Sequence, residues 1–233
     1  SPAIGVSDYG SKLGYSSAIN TGGDAAYGAQ GTTGRWSVVG QPGFNGGDGR
    51  IVVYENTSYA TPTAAPVWVQ RAVAVGSSGQ ALGTSVSISA NGMLIAAGAP
   101  MDTSGKGAVF LYQNNGGSPN PWQTHTTVPK ITASGGANDD RFGTSVALNE
   151  LGNNILVGAP FNDTAGTNAG AAYWGGISAT LGNQLLPTFD TTNGDNESGT
   201  ARAGDLFGSS VAFDQNMLVV GSPRDDHHGK TDA

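Results

Sequence analysis

The sequence predicts an all-β protein made of repeated, four-stranded units. Glycine accounts for 38 of the 233 residues, well above its usual share of about 7%. Charged residues make up only 12%. Short apolar segments alternate with clusters of Gly, Asn, Ser and Thr. This pattern is typical of many short strands joined by tight turns.

Each unit opens with an apolar residue, a glycine, small residues and a first strand. In this strand apolar side chains alternate at period two, as in Val86-Ser87-Ile88, which predicts a half-buried strand. The marker glycines are Gly14, Gly83, Gly143 and Gly208, which lie 69, 60 and 65 residues apart. This spacing predicts an internal repeat.

The second strand of each unit is an apolar run that ends in Gly-x-Pro. The continuous run Leu94-Ile95-Ala96-Ala97 predicts a strand covered on both faces. Proline ends the strand because it has no N–H to give to the ladder. The Gly-x-Pro segments are Gly40-Gln41-Pro42, Gly98-Ala99-Pro100, Gly158-Ala159-Pro160 and Gly221-Ser222-Pro223.

A polar loop then leads to a third strand with an aromatic residue and to a fourth strand. Third strands are predicted at 50–54, 108–112 and 171–174, and fourth strands at 67–70 and from 121 onward. One unit cannot cover both of its faces, whereas units arranged radially can, so the sequence predicts a β-propeller. The predicted blades of this single domain (residues 1–233) are 13–81, 82–141, 142–206 and 207–233. The last blade is incomplete, which predicts an incomplete ring or part of a larger propeller.

The pairing of Phe142-Gly143 with Gly158-Ala159-Pro160 carries a family resemblance. The chain is similar to the FG-GAP repeat, the blade motif of integrin α-subunit propellers, and resembles even more the FG-GAP arrays of bacterial and algal surface proteins. The similarity is strong over residues 82–223 and looser over 13–81. It implies four-stranded propeller blades but no single function, because the family includes adhesion receptors, surface proteins and domains attached to enzymes.

Loops rich in Asp and Asn follow three Gly-x-Pro segments and are expected to cluster on one rim. Their carboxylates Asp102, Asp163 and Asp225 are weak candidate calcium ligands, because hard cations prefer oxygen. Asp190 and Asp195 in an acidic loop are further candidates. Asp and Asn also make turns by bonding their own backbone, and this interpretation is favoured. The turns between first and second strands lack the carboxylates with which many FG-GAP repeats bind calcium, so the sequence predicts no cofactor other than this candidate calcium.

Three Asn-x-Ser/Thr sequons make Asn56, Asn162 and Asn196 candidate glycosylation sites. The paired carboxylates Asp139-Asp140 are expected to be solvated in a turn between units. Four aromatic residues on repeated strand segments are expected to pack between blades rather than to stack on sugars: Trp36, Trp68, Trp122 and Trp174.

The net charge and the motifs disfavour several classes of function. The net charge of −7 and the absence of a basic run disfavour nucleic acid, and no apolar stretch of 18 residues predicts a membrane span. No nucleophile elbow, zinc motif or phosphate loop appears, so the chain is predicted not to be an enzyme.

The leading hypothesis is an extracellular or cell- or virion-surface adhesion propeller whose rim loops contact a protein, a glycan or copies of itself. The alternatives are a building block of a filament, wall or viral fibre and, third, a glycan- or lipid-acting enzyme.

Overall fold

The computed structural model of the chain describes residues 14–22, 34–59, 65–116, 120–187, 203–215 and 217–224. Within them the fold is all-β, which confirms the predicted class. Two one-turn helical segments, Phe44–Gly47 and Asp102–Gly105, lie between strands. No described helix is long and apolar enough to cross a membrane.

The strands follow one another along the chain with short connections. In chain order they are β1 (Ser16–Ile19), β2 (Trp36–Gln41), β3 (Arg50–Asn56), β4 (Trp68–Val75), β5 (Val86–Ile88), β6 (Leu94–Ala99), β7 (Ala108–Asn114), β8 (Trp122–Thr124), β9 (Lys130–Ala133), β10 (Ser145–Leu148), β11 (Asn154–Ala159), β12 (Ala171–Gly176), β13 (Thr180–Leu181), β14 (Asn183–Leu185), β15 (Ser210–Asp214) and β16 (Met217–Gly221).

These strands form four successive antiparallel sheets. The first sheet has the order β1-β2-β3-β4, the third β10-β11-β12-β14 and the fourth, in the described residues, β15-β16. The second sheet has the order β5-β6-β7, and its fourth strand is split into β8 and β9, which both pair with β7. The short strand β13 joins β9 in parallel and ties the third unit to the second sheet. The architecture is that of a partial propeller, while the exact blade boundaries stay a prediction.

The second strand of a blade is covered on both faces where a sheet lies on either side. β6 is buried along its whole length, and β11 is buried from Ile155 to Ala159. This agrees with the continuous apolar runs in the sequence, because side chains on both faces of the strand then meet a neighbouring sheet.

The hydrophobic core lies between the sheets. Val53 of the first sheet and Ile95 of the second belong to one buried cluster. Leu111 of the second sheet and Val157 of the third belong to another. The first strands of the sheets are neighbours in series, β1 with β5, β5 with β10 and β10 with β15, as expected around a propeller axis.

Neighbouring blades meet at the same backbone contact, which we term the interblade joint. Between the second and third sheets, Ser85 Oγ donates to the carbonyl oxygen of Gly143 at 2.9 Å. A Cβ added to Gly98 would lie 1.9 Å from that oxygen, so the joint requires glycine. The other two joints consist of Ser16, Gly40 and Gly83, and of Ser145, Gly158 and Gly208.

The tryptophans only partly follow the prediction. Trp36 and Trp122 are 4% and 5% exposed and meet edge to face, 5.6 Å apart, between the first and second sheets. For Trp68, which is 39% exposed, the prediction of interblade packing is wrong, whereas for Trp174, which is 37% exposed, it stays a prediction. Trp68 begins the outermost strand of its sheet. Trp174 shares a face with its partner Leu156 and is directed toward the fourth sheet, which has only two described strands.

Candidate interaction surface

Antiparallel order places two sets of connections at opposite ends of the sheets. We term one end the upper rim: it holds the loops between second and third strands and the segments that enter each marker glycine. The other end, the lower rim, holds the turns between first and second strands. The described upper-rim residues used below are 42–49, 77–81, 100–107, 134–141 and 160–170, and those of the lower rim are 89–93 and 149–153.

Two upper-rim loops, residues 44–49 and 102–107, have the same backbone conformation. The amide of Gly49 donates to the carbonyl of Phe44 at 3.0 Å, and that of Gly107 donates to the carbonyl of Asp102 at 3.0 Å. Each loop has two consecutive left-handed residues: Asn45 (φ 50°) and Gly46 (φ 73°) in one, Thr103 (φ 50°) and Ser104 (φ 59°) in the other. The repeat therefore sets this backbone even where the residues differ.

The next blade holds these loops in place. The amide of Leu82 donates to the carbonyl of Asp48 at 3.1 Å, and the amide of Phe142 donates to the carbonyl of Lys106 at 3.2 Å. In the longer third loop the carbonyl of Ala169 accepts from Phe207 at 3.0 Å. Because the residue before the marker glycine of each following blade supplies the donor, contacts between blades fix the backbone of the upper rim.

The side chains of the fixed loops differ and extend outward. At equivalent positions one loop carries Asn45 and Asp48 and the other Thr103 and Lys106. Thr103 and Lys106 are exposed and border a groove of ≈ 220 Å³, whose other lining residues include Thr132 and Gly136. This groove brings together the hydroxyl oxygens of Thr103 and Thr132 and the ammonium group of Lys106, which forms no ion pair within the described part of the chain.

Asp102, a candidate metal ligand and the first residue of this loop, has a buried side chain that is already paired. It is 2% exposed, and its Oδ1 accepts from Lys130 Nζ at 2.8 Å. Its Oδ2 accepts from Gln80 Nε2 at 2.8 Å, and the hydroxyl of Thr103 also donates to the carboxylate. Lys130 thus supplies the positive charge that a calcium ion was predicted to supply to this carboxylate.

The third blade has the same cluster with different side chains. Asn162 Nδ2 donates to Asp140 Oδ2 at 2.9 Å. Gln184 Nε2 donates to Asn162 Oδ1 at 3.3 Å and to the hydroxyl of Tyr173 at 2.9 Å. Asp140 is only 2% exposed, so the expectation that it is solvated in a turn is wrong. Burial is tolerated because the carboxylate also accepts from the amide of Ala137 at 2.8 Å.

We term this set of three positions the polar clamp. One position precedes the marker, one follows Gly-x-Pro and one lies on the outer strand: Gln80, Asp102 and Lys130 in the second blade, and Asp140, Asn162 and Gln184 in the third. In both blades an amide donates to a carboxylate across the first two positions. The clamp ties the segment entering a blade to the body of that blade, which is a structural role.

The other candidate metal ligands do not assemble with Asp102. Asp163 is exposed, and its Oδ1 accepts from the amide of Asn168 at 2.8 Å, which closes its own loop. Asp190, Asp195 and Asp225 lie outside the described residues. Within the described ranges no three His, Asp or Glu side chains are grouped to hold a metal ion. Calcium binding stays a prediction.

The candidate glycosylation sites differ in accessibility. Asn56 is half-buried, and its Oδ1 accepts from the hydroxyl of Ser58 at 2.9 Å. Asn162 is 3% exposed, and its Nδ2, the atom that carries an N-linked glycan, donates within the polar clamp. Asn196 lies outside the described residues. Modification of these residues stays a prediction.

Tyr173 gives the third-blade clamp a pH dependence. Burial and the nearby charge of Asp140 raise the pKa of Tyr173 to about 12, against about 10 in an unfolded chain. Between these values the folded state binds more protons, so the free energy of unfolding falls as the pH rises, by about 2–3 kcal/mol in total. Alkaline absorbance titration should show a late tyrosinate phase that shrinks in Tyr173→Phe. An unchanged phase in that variant would contradict the assignment; Tyr112, whose pKa burial also raises to about 12, supplies the remainder.

Comparison with known proteins supports the repeat. The family model described as FG-GAP repeat matches residues 125–174 and 198–233. These ranges include two marker segments and two Gly-x-Pro segments, and the resemblance inferred from the sequence is confirmed. A search of curated proteins gave no match.

Proposed function

We propose that this chain, which contains FG-GAP repeats, is a non-enzymatic propeller that acts outside the cell or on a cell or virion surface and presents its upper rim to a protein or glycan partner. The observation that carries the proposal is the pair of loops 44–49 and 102–107, which share one backbone and carry different exposed side chains. A fixed frame with variable side chains is how scaffolds present binding loops.

The groove beside Lys106 determines the ligand chemistry that we propose. Its ammonium group takes part in no ion pair among the described residues, whereas Lys130 below it is neutralised by Asp102. The hydroxyl protons of Thr103 and Thr132 are donated to Asp102 and to the carbonyl of Ala179, so their oxygens add acceptors at the groove wall. We therefore favour a partner that offers a carboxylate among hydroxyl or amide groups, as an acidic glycan or an acidic peptide does.

A charge-reversal pair tests this function. We expect the chain to bind carboxylate-bearing members of a defined glycan array or acidic-peptide panel, and Lys106→Glu to weaken that binding at least tenfold, about 1.4 kcal/mol. Glu150→Lys on the lower rim changes the net charge by two units in the opposite direction, at a site away from the groove, and should not weaken binding. Equal binding by both variants, or no binding to any carboxylate-bearing probe, would refute the proposal.

A further inference from the structure

Two exposed sheet faces correspond to the two sides of the interblade joint. We term the face that each sheet turns to the following sheet its leading face, and the other its trailing face. In each complete joint, a serine and a Gly-x-Pro glycine of the leading face meet the marker glycine of the next blade. The serine–glycine distances are 2.9, 2.9 and 2.8 Å in the three joints.

The leading face of the fourth sheet repeats these residues, and they have no interblade partner among the described residues. Ser210 and Gly221 occupy the serine and glycine positions, but no glycine carbonyl of another described blade lies against them. Val219 on the same face is 54% exposed, whereas Leu156 at the equivalent position of the third sheet is fully buried. Met217 beside it is 69% exposed.

The trailing face of the first sheet is the matching half. Gly14 has the marker conformation, with φ 79° against 86° for Gly83. A Cβ on Gly83 would lie 2.5 Å from a carbonyl of the preceding blade, whereas no described atom lies within 4 Å of a Cβ on Gly14. Ile19 on this face is 50% exposed, while its equivalent Leu148 is 6% exposed.

The apolar surface around Gly14 continues across the sheet. Val73 and Val75 on the outer strand are 42% and 53% exposed. Val73 lies opposite Val52, on the face turned away from the second sheet. Unpaired apolar area of this kind is a hallmark of interaction sites on folded proteins.

We propose that a second copy of this chain covers these faces, with the leading face of one copy's fourth sheet docked on the trailing face of the other copy's first sheet. Ser210 Oγ then donates to the carbonyl oxygen of Gly14 in the second copy, and Gly221 packs on the same glycine. A second copy is the expected partner because the contact would repeat the three joints inside the chain. Such a joint needs a marker glycine with positive φ and an apolar trailing face, and Gly14 and Ile19 provide both. The contact is head to tail, so it generates a ring or a chain of copies.

This inference does not rest on the proposed function, because the joint faces lie on the sheets and the ligand groove lies on the upper rim. Sedimentation velocity of the 233-residue chain over a range of concentrations provides the first test. We expect reversible association, weakened at least tenfold by Val219→Glu on the leading face and by Val75→Glu on the trailing face. Leu151→Glu, at a 48%-exposed site on the lower rim, is the matched control and should associate like the parent chain.

A mixing experiment separates a head-to-tail joint from other contacts. Val219→Glu keeps an intact trailing face and Val75→Glu an intact leading face, so each alone is expected to be monomeric and an equal mixture to form a one-to-one dimer. Circular dichroism spectra matching the parent would show that both variants are folded. The inference is overturned if the parent chain stays monomeric at all concentrations, since its own segments or another partner would then cover these faces. It is also overturned if the mixture stays monomeric.

Discussion

Gly98→Ala is expected to lower the free energy of unfolding by about 3 kcal/mol or more. The added methyl carbon would lie 1.9 Å from the carbonyl oxygen of Gly143 and 2.3 Å from Ser85 Oγ. The nearer atom is backbone, so no rotamer change relieves the clash. The second and third blades must move apart, which opens the core on either side of the joint and breaks the Ser85 hydrogen bond.

Gly182→Ala is the matched control for this prediction. Neither Gly98 nor Gly182 has a positive φ, so alanine is compatible with the backbone at both positions. Apart from its chain neighbours, no atom of the described residues lies within 4 Å of a Cβ on Gly182, so its replacement should change stability by less than about 1 kcal/mol, and in the stabilising direction. Urea unfolding followed by circular dichroism measures both. Equal midpoints for the two variants would show that the close approach of the blades is not a stability determinant.

The strands and their order could be predicted from the sequence because the same pattern of apolar residues and glycines recurs in each unit. Apolar residues fill every position of Leu94–Ala97, which distinguishes a strand covered on both faces from one that is half-buried. Glycine recurs at positions 98 and 143 because the two backbones touch there, although the sequence alone did not show which glycines meet. The periodicity of apolar residues shows which side chains of one strand share a face. It does not show which neighbouring sheet covers that face, because this depends on how the sheets are arranged.

The polar clamp was not predicted, because its members lie far apart and change identity between blades. Asp102 bonds to Gln80 and Lys130, which are 22 and 28 residues away. In the third blade the carboxylate moves to position 140 and an amide takes position 162. An alignment of the repeats places these residues in register, but only the three-dimensional structure shows that a carboxylate and an amide have exchanged places across one hydrogen bond.

Lys130→Met is the second large effect that we expect, a loss of about 2–4 kcal/mol in the free energy of unfolding. The Asp102 side chain is 3% exposed and that of Lys130 36% exposed, so the substitution leaves a buried carboxylate without its countercharge. Gln80 and Thr103 still donate hydrogen bonds to it, but they carry no charge. Lys106→Met, at an exposed lysine of the upper rim, should change stability by less than about 0.5 kcal/mol.

The third blade provides a rescue for this variant. Asn162 occupies the position of Asp102 and is buried there as a neutral amide, so the fold accepts an amide at this place. Adding Asp102→Asn to Lys130→Met removes the unpaired charge while keeping an oxygen that can accept from Gln80. We expect the double variant to be more stable than Lys130→Met alone in the same urea titration. If it is instead less stable, the buried charge is not the cause of the loss, and Lys130 stabilises the blade through the contact of its ammonium group with the Phe110 ring, 5.7 Å from Nζ to the ring centroid.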